Sequence, residues 1–319
     1  MSKTKSRVSH LMRVTFVLLT TFMASRARGQ SYLYFDGNES QVEMGDSTDF
    51  SVAPGGLTVS VWMKPSVLTF PKTEGSDVCQ KFVHWLGKGE GSGPSAQQEW
   101  VFRMYSQNPS CPVADPAARN PRQNRISFYV YNLGTPVGRT QNEGVGSYFQ
   151  EPVQPGEWIH VVGVAHYDAN NESNDLTAIY KNSELKHCAN YRGITGVHLE
   201  GRPCSVGYWP GTREPVVITP EHGNAPLRVG TREGRANSSY WLGGMARVRL
   251  WNRALGRDEI DSLFRAETCL FDPSAECDGT VPQDALAAEW LLNEQTDTTA
   301  YDTVGGHDGT IVGAFRPVR

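Results

Sequence analysis

Beyond its first thirty residues the sequence has no long apolar run, no Cys-x-x-Cys or His-x₃-His spacing, and no convincing internal repeat. Each lack excludes something. A membrane-spanning helix takes about 20 consecutive apolar residues, and nothing after residue 30 supplies them. A structural zinc site needs closely spaced thiolates and imidazoles, so the cysteines serve another purpose. Helical periodicity is confined to one stretch near the end, which excludes a helical domain.

Positive charge is also scarce once the leader is set aside. Lys3, Lys5, Arg7 and Arg13 precede the short apolar run "VTFVLLTTFMA" (14–24), and "SRARGQ" follows with Ala27 and Gly29 ahead of Gln30. That is the pattern of a secretory signal peptide over residues 1–29. The absence of a cysteine after the run argues against a lipid anchor. Residues 1–29 carry six basic side chains, adding Arg26 and Arg28 to those four, and no acid, so without them the net charge of −4 becomes −10. A surface that negative excludes nucleic acid and anionic membranes as partners, since both require a positive patch. The expected location is extracellular, or periplasmic where the source has an outer membrane.

The six cysteines all follow the leader: Cys79, Cys111, Cys188, Cys204, Cys269 and Cys277. An even count in an exported chain points to disulfides. Nearest-neighbour pairing, Cys79–Cys111, Cys188–Cys204 and Cys269–Cys277, is expected because each bond would staple a loop rich in Pro, Gly or Asn.

Alternation is abundant. "LTVSVWMKP" (57–65) sets Leu57, Val59, Val61 and Met63 against Thr58, Ser60, Trp62 and Lys64. "EWVFRMYS" (99–106) sets Trp100, Phe102 and Met104 against Val101, Arg103 and Tyr105, and "RISFYVYN" (125–132) sets Ile126, Phe128 and Val130 against Ser127, Tyr129 and Tyr131. "EWIHVVGVAHYD" (157–168), "LTAIYKN" (176–182), "PLRVGT" (226–231) and "MARVRLWN" (245–252) continue the series. Period two bounded by Gly, Pro, Asn and Asp marks half-buried antiparallel strands. Many such strands with almost no helix predict an all-β, two-sheet antiparallel sandwich. Two long inserts, 70–98 and 107–124, are rich in Gly, Pro, Ser and Asn and carry Cys79 and Cys111.

The one helix is predicted after Gly256, where Ile260, Leu263 and Phe264 share a face. Glu259 can reach back to the Gly256 amide as half a capping box, and Leu255 with Ile260 forms a hydrophobic staple. Glu259-Ile260-Asp261 also looks like the paired acids of a glycosidase. Neighbouring helix positions splay apart, however, whereas catalytic acids on a strand alternate into one cleft. Acids in a first helical turn suit the dipole, so these two are read as structural.

"YLYFDGNESQVEMG" (32–45), "LTVSVWMKP", "GEWIHVVGVAHYD", "LTAIYKNSEL" and "GGMARVRLWNRALGRDEI" resemble, in this order, the laminin-G-like, concanavalin A-like jelly rolls of the pentraxin-related type. "LAAEWLLNEQTDTTAYDTVGGHDGTIVGAF" (286–315) resembles the strand and glycine-rich turn that flank such domains. The resemblance implies one domain over 30–319, with a core over 31–265 and a disulfide-pinned loop and closing strand over 266–319. It also implies one concave and one convex sheet, and glycan or protein binding, often with calcium and without catalysis. The chain departs from the family at Ala246 and Arg247, where acids are common, which removes carboxylates a metal would use there. It departs again at Gly256, where serine is usual; glycine at that cap costs only a few tenths of a kcal/mol.

Calcium takes about six to eight oxygens. "FDGNES" (35–40) offers Asp36, Asn38 and Glu39, and "DTVGGHDG" (302–309) offers Asp302 and Asp308; the same residues also make plain Asx turns. Trp158, His160 and His166 lie on one strand face and are read as packing residues, since no acid–nucleophile arrangement accompanies them. Arg103, Tyr105, Tyr129 and Tyr131 share a face if their strands are neighbours. Aromatic rings with a guanidinium suit stacking on sugars or holding a carboxylated glycan, and they also suit the covering of an outer sheet face. Sequons stand at Asn38, Asn171 and Asn237. The expected function is a secreted, non-catalytic recognition module for a glycan or an extracellular protein, with calcium as candidate cofactor. The rival is a polysaccharide hydrolase or lyase, in which Arg103 neutralises a uronate and Tyr105 or Tyr131 removes its proton. A structural surface protein is the third reading.

Overall fold

A computed structural model describes residues 31–52, 54–91, 93–111, 122–135, 143–208, 213–234, 238–294 and 298–314. The expected leader and the Asn237 sequon lie outside the described residues.

Two sheets form the body. The first runs in the order β1 (Leu33–Asp36), β15 (Leu242–Trp251), β3 (Leu57–Pro65), β8 (Ile159–His166), β9 (Leu176–Lys181), β10 (Glu184–Asn190) and β13 (Ser205–Val206), with β16 (Leu286–Trp290) also paired to β15. The second runs β17 (Thr299–Ala300), β18 (Gly309–Val312), β2 (Gln41–Glu43), β14 (Leu227–Val229), β4 (Phe82–Lys88), β5 (Trp100–Tyr105), β6 (Ile126–Tyr131) and β7 (Gly144–Phe149). A small hairpin joins β11 (His198–Leu199) to β12 (Arg202–Pro203). Pairing is antiparallel except where β13 meets β10. This is the two-sheet antiparallel sandwich expected from the alternating strands, in the jelly-roll form that the resemblance implied.

The apolar half of each alternation fills the space between the sheets. Val59, Val61 and Met63 of β3 meet Trp100, Phe102 and Met104 of β5 and Ile126, Phe128 and Val130 of β6 in one buried cluster. Burying each such side chain contributes about 1.5–3 kcal/mol. At Gly163 in β8 the sheets approach so closely that a Cβ would stand 2.6 Å from atoms of both Phe102 and Phe128.

A second cluster lies outside the first sheet. Val162, Val164, Tyr180 and Trp251 pack against Leu255, Ile260 and Leu263 at the start of α1 (Arg257–Phe271). The helix is longer than its apolar signature suggested, and Cys269 in its last turn bonds Cys277. The other pairs are Cys79–Cys111 and Cys188–Cys204, the same neighbours expected from the sequence.

One reading of the sequence needs correction. The stretch 70–98 is not merely a Gly- and Pro-rich insert, because it contains β4, which pairs β14 on one side and β5 on the other. A bulge between His84 and Leu86 interrupts its register, and both its faces are largely buried, so the alternation that reveals other strands is absent.

Candidate ligand-binding site

The ladders of the second sheet bring Phe82 opposite Tyr105, His84 opposite Arg103, Arg103 opposite Ser127, and Val101 opposite Tyr129. Because successive strand residues point to opposite faces, the core-facing Trp100, Phe102 and Met104 oblige Arg103 and Tyr105 to project outward. Tyr129 and Tyr131 follow the same rule on β6. At the edge, β7 places Gly144 opposite Tyr131 and Gly146 opposite Tyr129. A Cβ at Gly146 would stand 2.5 Å from Tyr129 Cδ1, so these glycines let the two tyrosine rings lie across the edge strand.

Arg103 is the centre of the group. Its Nη2 donates to the Tyr131 hydroxyl at 3.1 Å, its Nη1 to the Tyr105 hydroxyl at 3.4 Å, and its Nε to His84 Nε2 at 3.3 Å. The guanidinium carbon sits 4.0 Å from the Phe82 ring centre and 5.0 Å from that of Tyr129, within cation–π range. Arg122 reaches the same Tyr105 hydroxyl at 2.8 Å.

Behind Arg103, His84 Nδ1 faces Glu74 Oε1 at 3.1 Å, and Glu74 Oε1 also accepts from the Ser239 hydroxyl at 2.6 Å. Arg232 lies 3.5 Å from Glu74 Oε2. Burial pushes His84 down to about 4; Glu74 pulls the other way, and the Arg232 and Arg103 guanidiniums add to the lowering. The imidazole is therefore neutral at pH 7, and the tautomer that satisfies both contacts carries its proton on Nδ1. Glu74 is ionised: burial alone would raise its pKa, but His84, Arg232 and Ser239 hold it well below the usual carboxylate range. Tyr129 is raised to about 12, chiefly by burial. Burial also opposes ionisation of Tyr105, yet Arg103 and Arg122 together bring its pKa down.

Charge divides this face. Arg228 pairs with Glu43 at 2.7 Å and Glu90 at 2.6 Å, and Arg232 pairs with Glu74 and Glu233. Among the described residues, no carboxylate lies within 4 Å of Arg103 or Arg122. Arg103 is held entirely by neutral acceptors.

The four residues expected to share a face do so, but access is unequal. Tyr105 is 2% and Tyr131 8% exposed, while Arg103 and Tyr129 are half-buried and reach the surface. Sequence reading missed Phe82, His84, Glu74 and Arg122. The first two belong to the concealed strand β4, and the other two lie in the stretches read as inserts.

The turns considered for calcium are hydrogen-bonded within themselves. Asp36 Oδ1 accepts from the Asn38 amide and the Ser40 hydroxyl, both at 2.8 Å. Asp302 accepts from the amides of Glu289, Val304 and His307, and Asp308 accepts from the Asp302 amide. Among the described residues no group of three or more His, Cys, Asp or Glu side chains is arranged to hold a metal ion. Glu259 grips Arg253 with both oxygens and accepts from the Gly256 amide, while Asp261 pairs with Arg265 at 3.0 Å. Both acids serve the helix start. Trp158 packs edge-on against Tyr32, and His160 contacts Ser60 and the Trp62 ring.

No family model and no curated protein sequence matches this chain. Solved structures do. A candidate carbohydrate-binding protein from Bacteroides ovatus is 14% identical with a TM-score of 0.50, covering 91% of this chain and 60% of its own length. This chain thus spans less than two thirds of that neighbour. A heptameric SAP-like pentraxin from Limulus polyphemus is 12% identical over 92% of this chain and 97% of its own, with a TM-score of 0.45. Domains LG4–5 of the mouse laminin α1 chain are 13% identical over 72% of this chain and 44% of theirs, with a TM-score of 0.37. At such identities a likeness speaks to fold alone, and the fold of this chain is the two-sheet antiparallel jelly roll described above.

Proposed function

We propose that the protein is a non-catalytic recognition module that binds a glycan on the outer face of its second sheet. One observation carries this reading: a guanidinium with no carboxylate partner among the described residues, Arg103, set among Phe82, Tyr129 and Tyr131 on a face that no described helix covers. Aromatic rings stack on the apolar faces of sugars, and a guanidinium donates to their oxygens. The Bacteroides ovatus fold neighbour, itself a candidate carbohydrate-binding protein, agrees with this reading. So does an extracellular setting, which the three disulfides favour.

The lyase reading draws on the same residues, and access disfavours it. A base must reach the sugar proton, yet His84 and Tyr105 are each 2% exposed and Tyr131 8%, and all three are hydrogen-bonded to Arg103. Calcium remains a cofactor candidate through Asp36, Asn38 and Asp302.

A glycan array on the disulfide-intact protein, run with calcium and with EDTA, tests the proposal. Binding that is lost in Tyr129→Ala and unaffected by substitution at Asp261 is expected. Product formation that survives repurification would replace this reading with an enzymatic one, and an array with no binder would leave the structural-protein reading.

A further inference from the structure

Apart from the outer sheet faces, the molecule has a depression beside His166 and Asp168, a hollow beside Asp258 and Asp261, and a buried Lys88–Glu99–Asp46 cluster. Lys88 is fully engaged by Asp46, Glu99 and the carbonyls of Gly223 and Ala225, and it pins the loop that carries those carbonyls. The outer face of the second sheet carries more, because its polar groups are left over.

Resting on the glycan-binding reading above, we infer that the sugar recognised there is acidic, with a carboxylate seated against Arg103 and Arg122. The two guanidiniums converge on one atom, since each donates an Nη1 hydrogen to the Tyr105 hydroxyl, at 3.4 and 2.8 Å. Two cations sharing one neutral oxygen repel each other unless an anion lies between them. Elsewhere on the same face the protein supplies that anion itself: Glu43 and Glu90 for Arg228, Glu74 and Glu233 for Arg232. At Arg103 and Arg122 none of the described residues supplies one.

Leftover hydrogen-bonding groups point the same way. Ser127, directly across the ladder from Arg103, is fully buried, and its hydroxyl has no partner. Arg122 Nε is likewise buried without an acceptor. A guanidinium has five N–H groups, of which Arg103 commits four, two to His84 and one each to Tyr131 and Tyr105. A carboxylate is the acceptor-only group that matches a guanidinium fork, and its hydrogen bonds to charged donors are the strong ones. A neutral sugar brings hydroxyls but no charge, and would leave the two cations uncompensated. His84 reinforces this preference: neutral and pinned by Glu74, it holds Arg103 in place without cancelling its charge.

The test compares binding of four oligosaccharides by titration calorimetry: a uronic-acid oligosaccharide, its carboxyl-reduced counterpart, a sialylated one and a sulfated neutral one. The disulfide-intact wild type is measured beside Arg103→Gln and Arg122→Gln, with the melting temperature of each recorded. Arg122 is half-buried and donates to the Tyr105 hydroxyl, so Arg122→Gln is the milder variant should Arg103→Gln not fold. Loss of a charge-assisted contact predicts at least about tenfold weaker binding on carboxyl reduction, and a similar loss for the uronic or sialic sugar in either variant. Equal affinity for the acidic sugar and its reduced form overturns the acidic-ligand inference while leaving glycan recognition intact. So does binding confined to the sulfated sugar. If none of the four binds and a broad neutral panel also fails, the recognition reading itself falls.

Discussion

The two sheets resemble each other inward and differ outward. On the outer face of the first sheet, α1 closes over Trp62, His160, Arg247 and Arg249, and both arginines there pair with acids of the chain. Glu267, 2% exposed, accepts from Trp62 Nε1 at 2.9 Å and pairs with Arg247 at 3.0 Å and Arg249 at 2.8 Å. Arg249 pairs also with Glu289, and His160 meets Ser60 at 2.8 Å. The outer face of the second sheet has a comparable stock of arginine, histidine and aromatic side chains, yet among the described residues Arg103 and Arg122 have no acid beside them. A buried charge needs compensation, and where the chain provides it the face is structural. The face whose described residues include cations without acids is the one proposed to bind a ligand.

The largest expected effect comes from breaking the closed face. Glu267→Gln takes one of two carboxylates from Arg249, which is 1% exposed and keeps Glu289, and is expected to cost about 3 kcal/mol in denaturant unfolding. A change below about 1 kcal/mol would mean that this network does not hold the helix down. Next in size, Gly146→Ala drives a methyl into the Tyr129 ring and the Phe128 carbonyl, 2.5 and 2.6 Å away. A loss of about 1–3 kcal/mol is expected, together with weakened glycan binding as Tyr129 shifts. Unchanged binding would show that the ring's placement over β7 is irrelevant to recognition.

Acidification acts on both faces. His84 and His166 are lowered to about 4 and His160 to about 3, in each case first by burial, from an ordinary value of 6.5. The unfolded chain therefore takes up these protons before the folded one does. Stability is full above pH 6.5 and declines as pH falls toward 4 and then 3. Between pH 7 and 6 each histidine contributes a loss under about 1 kcal/mol. A melting temperature that stays flat from pH 7 to pH 4 would contradict this. The smallest stability effect is expected from Arg103→Gln, within about 1 kcal/mol, because removing an uncompensated cation costs little. A loss matching that of Glu267→Gln would erase the distinction between the faces.

Much of this was legible in the sequence. Strict alternation at 57–65, 99–106 and 125–132 exposed three strands and told the inner from the outer residues of each. That is why Arg103, Tyr105, Tyr129 and Tyr131 could be grouped before their strands were known to be neighbours. Gly256, Glu259 and Ile260 marked the helix start, though not its run to Phe271. The residues β4 contributes were hidden, because a strand buried on both faces and broken by a bulge has no period. The near-complete burial of Tyr105 and Tyr131 was also out of reach, since it depends on side chains from adjacent strands and loops. Which arginines lack acids is likewise a matter of tertiary pairing: Arg228 meets Glu90 across 138 residues.

Hydrogen–deuterium exchange with and without a bound acidic oligosaccharide tests the central claim most directly. The account predicts added protection over 82–88, 100–105, 126–131 and 144–149, and no change over the helix at 257–271. Protection centred on the helix, or on the turns at 35–40 and 302–309 with the Arg103 strands unaffected, would contradict it.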